Sequence, residues 1–230
     1  MNVLIACEES QRVCISFREK GHNAFSCDIL PCSGGHPEWH IEGNVLDIMH
    51  PWYHSDGGYY IDFISGGYYR IVPKWDMIIA HPPCTYLTVT GNRWFNVERY
   101  GEKAIQRLEN REQAVDFFMQ FVYADCERIC IENPIGYMST AFKKPSQIIQ
   151  PYQFGEPYSK KTCLWLKGLP KLKPTEIVET DPEEYYEYRA ANGRIKHDSR
   201  MRSKCRKDER ASFRSKTFWG IARAMAEQWG

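Results

Sequence analysis

Two residues in this chain stand where their side chains could do chemistry. Cys84 closes His81-Pro82-Pro83-Cys84, directly after the apolar run Met77-Ile78-Ile79-Ala80. That run is short and β-branched, which predicts a buried strand. Prolines cannot continue a ladder, so the strand is expected to end there, with Cys84 on a stiff loop at the carboxyl edge of a sheet. Ligands bind at that edge in open α/β sheets. A thiol held there is a candidate nucleophile; the plainer reading is a small buried hydrophobe. Glu132 lies in Ile131-Glu132-Asn133-Pro134, at the end of a second predicted strand over 128–132. Here too proline is expected to stop the strand and leave polar side chains at the same edge.

The elements that would position these residues follow from pattern. Residues 3–6 predict a first buried strand. Ser10 could cap a helix running to about Lys20, with Val13, Phe17 and Cys14 inward and Gly21 as its stop. Residues 23–27 predict a second strand ending at Asp28, where a carboxylate suits a ribose diol, although a plain turn aspartate fits as well. Residues 41–46 look like a third strand with Asn44 at its end. A long helix is expected over 104–123, with Leu108, Ala114, Val115, Phe118, Met119 and Val122 on its apolar face. Two more strands are expected within 145–152 and 162–166, with Lys160 and Lys161 between them. The last helix, 215–229, turns Phe218, Ile221, Ala222, Met225 and Trp229 inward.

Two segments interrupt this order. Residues 51–73 are rich in tyrosine and glycine and resemble an inserted hairpin, whose tyrosines either stack on bases or cover a neighbouring surface. Residues 168–213 are irregular, first acidic and then basic. The basic run Arg200, Arg202, Lys204, Arg206, Lys207 and Arg210 reads either as a phosphate-contacting patch or as a solvated loop.

Length and composition bound the class. A chain of 230 residues suits one α/β domain and is short for two. A net charge of +1 gives no global signal for a polyanion, so any nucleic-acid contact must be local. Nine cysteines without a regular framework or signal peptide read as reduced thiols in a cytoplasm. No segment approaches the length of a membrane span. Cys27, Cys32, His36 and His40 invite a zinc reading, but Cys32 and His36 are too close for the usual fingers, and no metal is expected.

In motif order the chain resembles the cytosine-specific carbon-5 methyltransferases, over Met1 to about Leu166 and again over Arg214 to Gly230. Pro83-Cys84 is similar to that family's nucleophile motif, and Ile131-Glu132-Asn133-Pro134 to its glutamate-asparagine motif. Gly43-Asn44-Val45 resembles the Gly-Asp-Ile stretch beside the adenine. Ser159-Lys160-Lys161 stands where the family has an arginine motif, and 214–218 resembles its C-terminal motif. The resemblance implies a Rossmann-like S-adenosylmethionine-dependent methyltransferase fold, with a mostly parallel sheet and helices on both faces. It implies S-adenosylmethionine held by Ala6, Cys7, Glu8 and Ser10 in the first turn, by Asp28 and Ile29, and by Asn44 and Val45. His81 and Pro82, with Ser215, Lys216 and Thr217, would complete the donor site. The family's glycine-rich first turn is replaced by Ala6–Gln11, so a donor pocket must be built differently or is lacking. The space between Leu166 and Arg214 is too small for the usual target-recognition domain.

The chemistry so implied is coherent. Attack of the Cys84 thiolate on carbon 6 turns cytosine into an enamine that can accept a methyl group. Glu132 would protonate or hydrogen-bond N3, and so must itself carry a proton, which burial favours. Asn133 would position Glu132 or the nearby backbone. Lys160 or Lys161 would hold the base carbonyl or a phosphate. A target inside duplex DNA would have to be flipped out. RNA or a free nucleotide remains an alternative substrate, and a silent binding protein an alternative role.

Overall fold

In the computed structural model, the described residues are 1–49, 52–53, 59–62, 69–71, 74–180, 185–189, 195–199 and 216–230. The main chain builds β1 (Asn2–Ala6), α1 (Arg12–Glu19), β2 (Asn23–Asp28), β3 (His40–Glu42) and α2 (Val45–Met49). A separate antiparallel meander follows, β4 (Trp52–Tyr53), β5 (Tyr59–Asp62) and β6 (Tyr69–Ile71). Then come β7 (Met77–Ala80), α3 (Val97–Tyr100), α4 (Glu102–Val122), β8 (Ile129–Pro134), α5 (Met138–Ala141), β9 (Gln147–Ile149) and β10 (Thr162–Lys167). An antiparallel hairpin of β11 (Tyr185–Arg189) and β12 (Ile195–Ser199) precedes α6 (Trp219–Trp229).

Seven strands form one sheet in the order β3-β2-β1-β7-β8-β10-β9. The first five run parallel, and β10 lies antiparallel to both β8 and β9. This is an α/β architecture with a mixed, mostly parallel sheet. Its central strands are continuous hydrophobic runs because both faces are covered. Alternation sorts their side chains. Leu4, Ala6, Ile78, Ala80, Ile129 and Ile131 pack with α2 and α4 through Ile48, Phe118 and Phe121. Val3, Ile5, Met77, Ile79 and Cys130 pack with α1 and α6 through Val13, Phe17, Ile221 and Met225. Helices therefore cover both faces, as expected.

Several boundaries differ from expectation. The third strand ends at Glu42, and Val45–Met49 is a helical turn. Asn44 is the reason: its Oδ1 accepts from Leu46 N at 3.1 Å, capping the turn. Ser10 does not cap α1. Gln11 holds the N-cap position at φ 58, without a side-chain cap bond. The strand after α4 continues through Asn133 to Pro134, which pairs opposite Thr162 in the last rung, where a missing N–H costs least. Leu108 is 38% exposed, whereas Phe118 and Phe121 in the second half of α4 are fully buried in the core. The segment expected as a hairpin is a three-stranded meander. Among the described residues no helix is long and apolar enough to cross a membrane.

Candidate active site

Strand order reverses at β1, which has β2 on one side and β7 on the other. Crevices at the carboxyl ends of such strands are the usual ligand sites. Ala6, Ala80 and Ile131 share one row across β1, β7 and β8. The chain just beyond that row supplies Cys7 and Glu8, then His81, then Glu132. The antiparallel β10 brings its amino end, with Lys160 and Lys161, to the same edge. The topology thus gathers the residues that motif order had nominated separately.

The Cys84 loop is clamped to the end of β8. Cys84 is half-buried and reduced, and its carbonyl accepts from Leu87 N at 3.0 Å and Thr88 N at 3.1 Å. Asn133 is buried and donates from Nδ2 to the Pro82 carbonyl at 2.9 Å. Tyr137 N donates to the Leu87 carbonyl at 2.7 Å, and Thr88 and Gly136 form a bridge. A Cβ on Gly136 would stand 2.0 Å from that Leu87 oxygen, so only glycine lets the two loops meet. From α4, Arg111 donates to the Tyr86 carbonyl at 3.0 Å and stacks over the Phe95 ring at 3.3 Å. The i, i+4 pair Arg107 and Arg111 was visible in the sequence, but nothing there tied it to this loop.

Glu132 is paired with His81. Nδ1 of His81 lies 2.9 Å from Oε2 of Glu132, and the two side chains are only 6% and 15% exposed. Burial pushes the carboxyl up, but His81 and then Lys160 outweigh it and hold Glu132 below its ordinary value. Burial likewise opposes charge on His81, yet Glu132 and Glu8 together raise its pKa. Both directions favour an imidazolium beside a carboxylate, where the sequence alone suggested a protonated Glu132. Of the two lysines, Lys160 is the one whose charge reaches this pair, and its Nζ lies 5.6 Å from the Phe218 ring centre. Lys161 is exposed.

The turn after β1 makes glycine-like bends without glycine. Cys7 has φ 59 and Gln11 φ 58, both in the left-handed region. Glu8 is buried, and its carboxylate accepts from Val13 N at 2.8 Å and Cys14 N at 3.2 Å. It thereby caps α1, a role the sequence reading missed. Burial raises its pKa despite these bonds, and pushes the Cys7 thiol up to about 12. Ser10 is buried; a Cβ on Gly34 would meet its carbonyl at 2.7 Å. Gln11 holds the 33–36 loop by donating to the His36 carbonyl at 2.8 Å and accepting from His36 N at 3.0 Å. The C-terminal segment returns to this turn. Lys216 donates to Ser33 at 3.1 Å and pairs with Glu9 at 3.8 Å; Ser33 also donates to Glu9. The Thr217 carbonyl accepts from Arg12 at 2.8 Å.

Asp28 ends β2 and accepts from Leu30 N at 3.0 Å, with its pKa raised chiefly by burial. Beside it Ile29 is 77% exposed. Val45 is buried behind the Asn44 turn. Cys27 lies in the core, His40 is bonded to Ser26 and Leu30, and His36 stacks on Trp39. Among the described residues no three His, Cys, Asp or Glu side chains converge as metal ligands would. Ser215 and the basic residues Arg200, Arg202, Lys204, Arg206, Lys207 and Arg210 lie outside the described residues, as do the side chains of the aromatic meander. No protein-family model matches this chain, and no curated protein matches it significantly.

Proposed function

We propose that this protein transfers a methyl group from S-adenosylmethionine to carbon 5 of cytosine in DNA through a covalent adduct at Cys84. The observation that carries this reading is the bond from Asn133 to the Pro82 carbonyl. It holds a half-buried thiol loop against the strand end that bears Glu132. Cys84 would attack carbon 6 while Glu132 faces N3 and Lys160 supplies positive charge nearby. The finer fold assignment belongs to the same reading. The β3-β2-β1-β7-β8 order is the doubly wound order of nucleotide-binding sheets, extended by an antiparallel strand.

The turn after β1 fits a particular kind of donor. A helix N-terminus ordinarily offers backbone N–H groups to a phosphate. Here Glu8 already fills that position on α1. A dinucleotide pyrophosphate is disfavoured there, whereas a sulfonium compound without phosphate suits Glu8, Glu9 and Asp28. Asp28 would accept from the ribose diol, and exposed Ile29 would pack against the adenine. When bound, the donor supplies an electrophilic methyl group. The protein's part is to hold the thiol, the base and the proton at N3.

Trapping on a DNA oligonucleotide carrying 5-fluorocytosine tests the reading. With S-adenosylmethionine present, wild type should form a covalent adduct, and Cys84→Ser should bind without forming it. An adduct in Cys84→Ser would mean another nucleophile. The filled first turn favours one second reading, a protein that binds pyrimidine nucleotides or nucleic acid without methyl transfer. Reversible binding with no wild-type adduct would select it; an adduct on RNA alone would change the substrate class.

A further inference from the structure

The bond between His81 and Glu132 leaves one ring nitrogen unaccounted for. Nε2 of His81 is buried and has no hydrogen-bond partner among the described residues. With Nε2 closed off, the path for a proton out of the ring runs through Nδ1, which lies 2.9 Å from Oε2 of Glu132. The charges acting on the ring come from three segments: Glu132 at the end of β8, Glu8 after β1, and Lys160 before β10. Burial opposes charge on the ring, but the bond and charge of Glu132, with Glu8, outweigh burial and Lys160 and favour the cationic form. A base that presents its N3 to Glu132 would then meet a carboxylate, lone pair against lone pair. The proton needed between them must come from elsewhere.

Building on the methyl-transfer reading, we infer that His81 is the proton store of this site, a positioning residue that acts on the pyrimidine through Glu132. The Nδ1–H bond breaks as Oε2–H forms, leaving a neutral ring that keeps its Nε2 proton. The carboxyl O–H then breaks as N3–H forms. In the same step Sγ of Cys84 bonds to carbon 6, the C5=C6 pair shifts to C4–C5, and the C4=N3 pair takes the proton. Glu132 is a carboxylate again, and no co-reactant is consumed. Once methyl transfer has re-formed C4=N3, the N3 proton returns along the same path. The C5–H bond then breaks to a water acting as base, its pair re-forms C5=C6, and the C6–S pair leaves on Sγ. Burial of Nε2 keeps the store from draining directly to solvent.

His81→Asn tests this directly. Asparagine can keep an N–H donor toward Oε2, but it holds no titratable proton. Adduct formation on the 5-fluorocytosine oligonucleotide is measured against pH for wild type and variant, alongside reversible oligonucleotide binding. The wild-type rate should fall only as pH rises through the raised histidine value. The variant should be slower by about 100-fold near neutral pH, with its falling limb moved to lower pH and binding unchanged. Equal rates and limbs would overturn the inference while leaving the methyl-transfer reading intact; no adduct from folded wild type would overturn both. A second arm does not depend on the variant folding. NMR titration of wild type should find the His81 proton held above the ordinary histidine value. A wild-type His81 that titrates at or below the ordinary value would overturn the inference by itself.

Discussion

The amide of Asn133 donates to the carbonyl of Pro82 at 2.9 Å, across the boundary between two adjacent parallel strands. One bond therefore connects the two sequence motifs that the chain carries 51 residues apart. Asn133→Ala leaves a buried carbonyl without its donor, which costs about 1–3 kcal/mol. The expected outcome is a urea midpoint lowered accordingly and a Cys84 that reacts less selectively with thiol reagents. Asn133→Asp should do no better, because a carboxylate cannot donate to the carbonyl. A midpoint within error of wild type in both variants would show that the bond does not hold the loop.

Gly136 is the second point of the clamp. A methyl group there would stand 2.0 Å from the Leu87 oxygen and 2.9 Å from its carbon, both backbone atoms. The Cys84 loop must shift to admit it. Gly136→Ala should lose about 1–3 kcal/mol by equilibrium unfolding, in the range of other overpacked sites. Its amide exchange should rise at Leu87 and Thr88 more than in β1. Unchanged protection at those two amides would contradict the close approach.

Glu8 predicts a pH effect of definite sign. Its folded-state pKa is raised above the ordinary 4.5, first by burial. A raised carboxyl contributes stability that is complete below the unfolded value and lost as pH rises through the folded one. Glu8→Gln cannot ionise and keeps one amide-accepting oxygen. Its stability should therefore fall less than wild type's between acid and neutral pH. Glu8→Ala strips the cap from Val13 N and Cys14 N and should lose about 1–2 kcal/mol at every pH. If Glu8→Gln follows the wild-type pH curve, Glu8 is not the buried cap described.

The His81–Glu132 pair has the opposite dependence. Glu132 is lowered from 4.5, so its contribution is complete above that value and lost as pH falls through the folded one. His81 is raised from 6.5, so its contribution is complete below that value and lost as pH rises through the folded one. The stability difference between wild type and Glu132→Gln should peak between 4.5 and 6.5 and shrink on both sides. A difference that keeps growing above neutral pH would exclude the ion pair.

Much of this arrangement was legible in the residues. β1, β7 and β10 carry continuous apolar runs bounded by polar residues, the pattern of strands buried on both faces. The inward faces of α1 and α6 followed from helical spacing, and the prolines at 82 and 83 marked where β7 gives way to the Cys84 loop. What the residues left open was decided by distance in space. Asn44 had a strand's surroundings, and a local cap bond made it start a helix. Glu8 looked like a turn carboxylate until α1 folded back and offered it two amides. Burial alone pushes Glu132 toward protonation; His81, 51 residues away in sequence, pulls its pKa the other way from just past the end of the neighbouring strand. Periodicity is a local property, so sequence records it. Protonation and loop anchoring depend on which charge or amide lies a few ångströms away across the sheet, and only the tertiary structure supplies that neighbour.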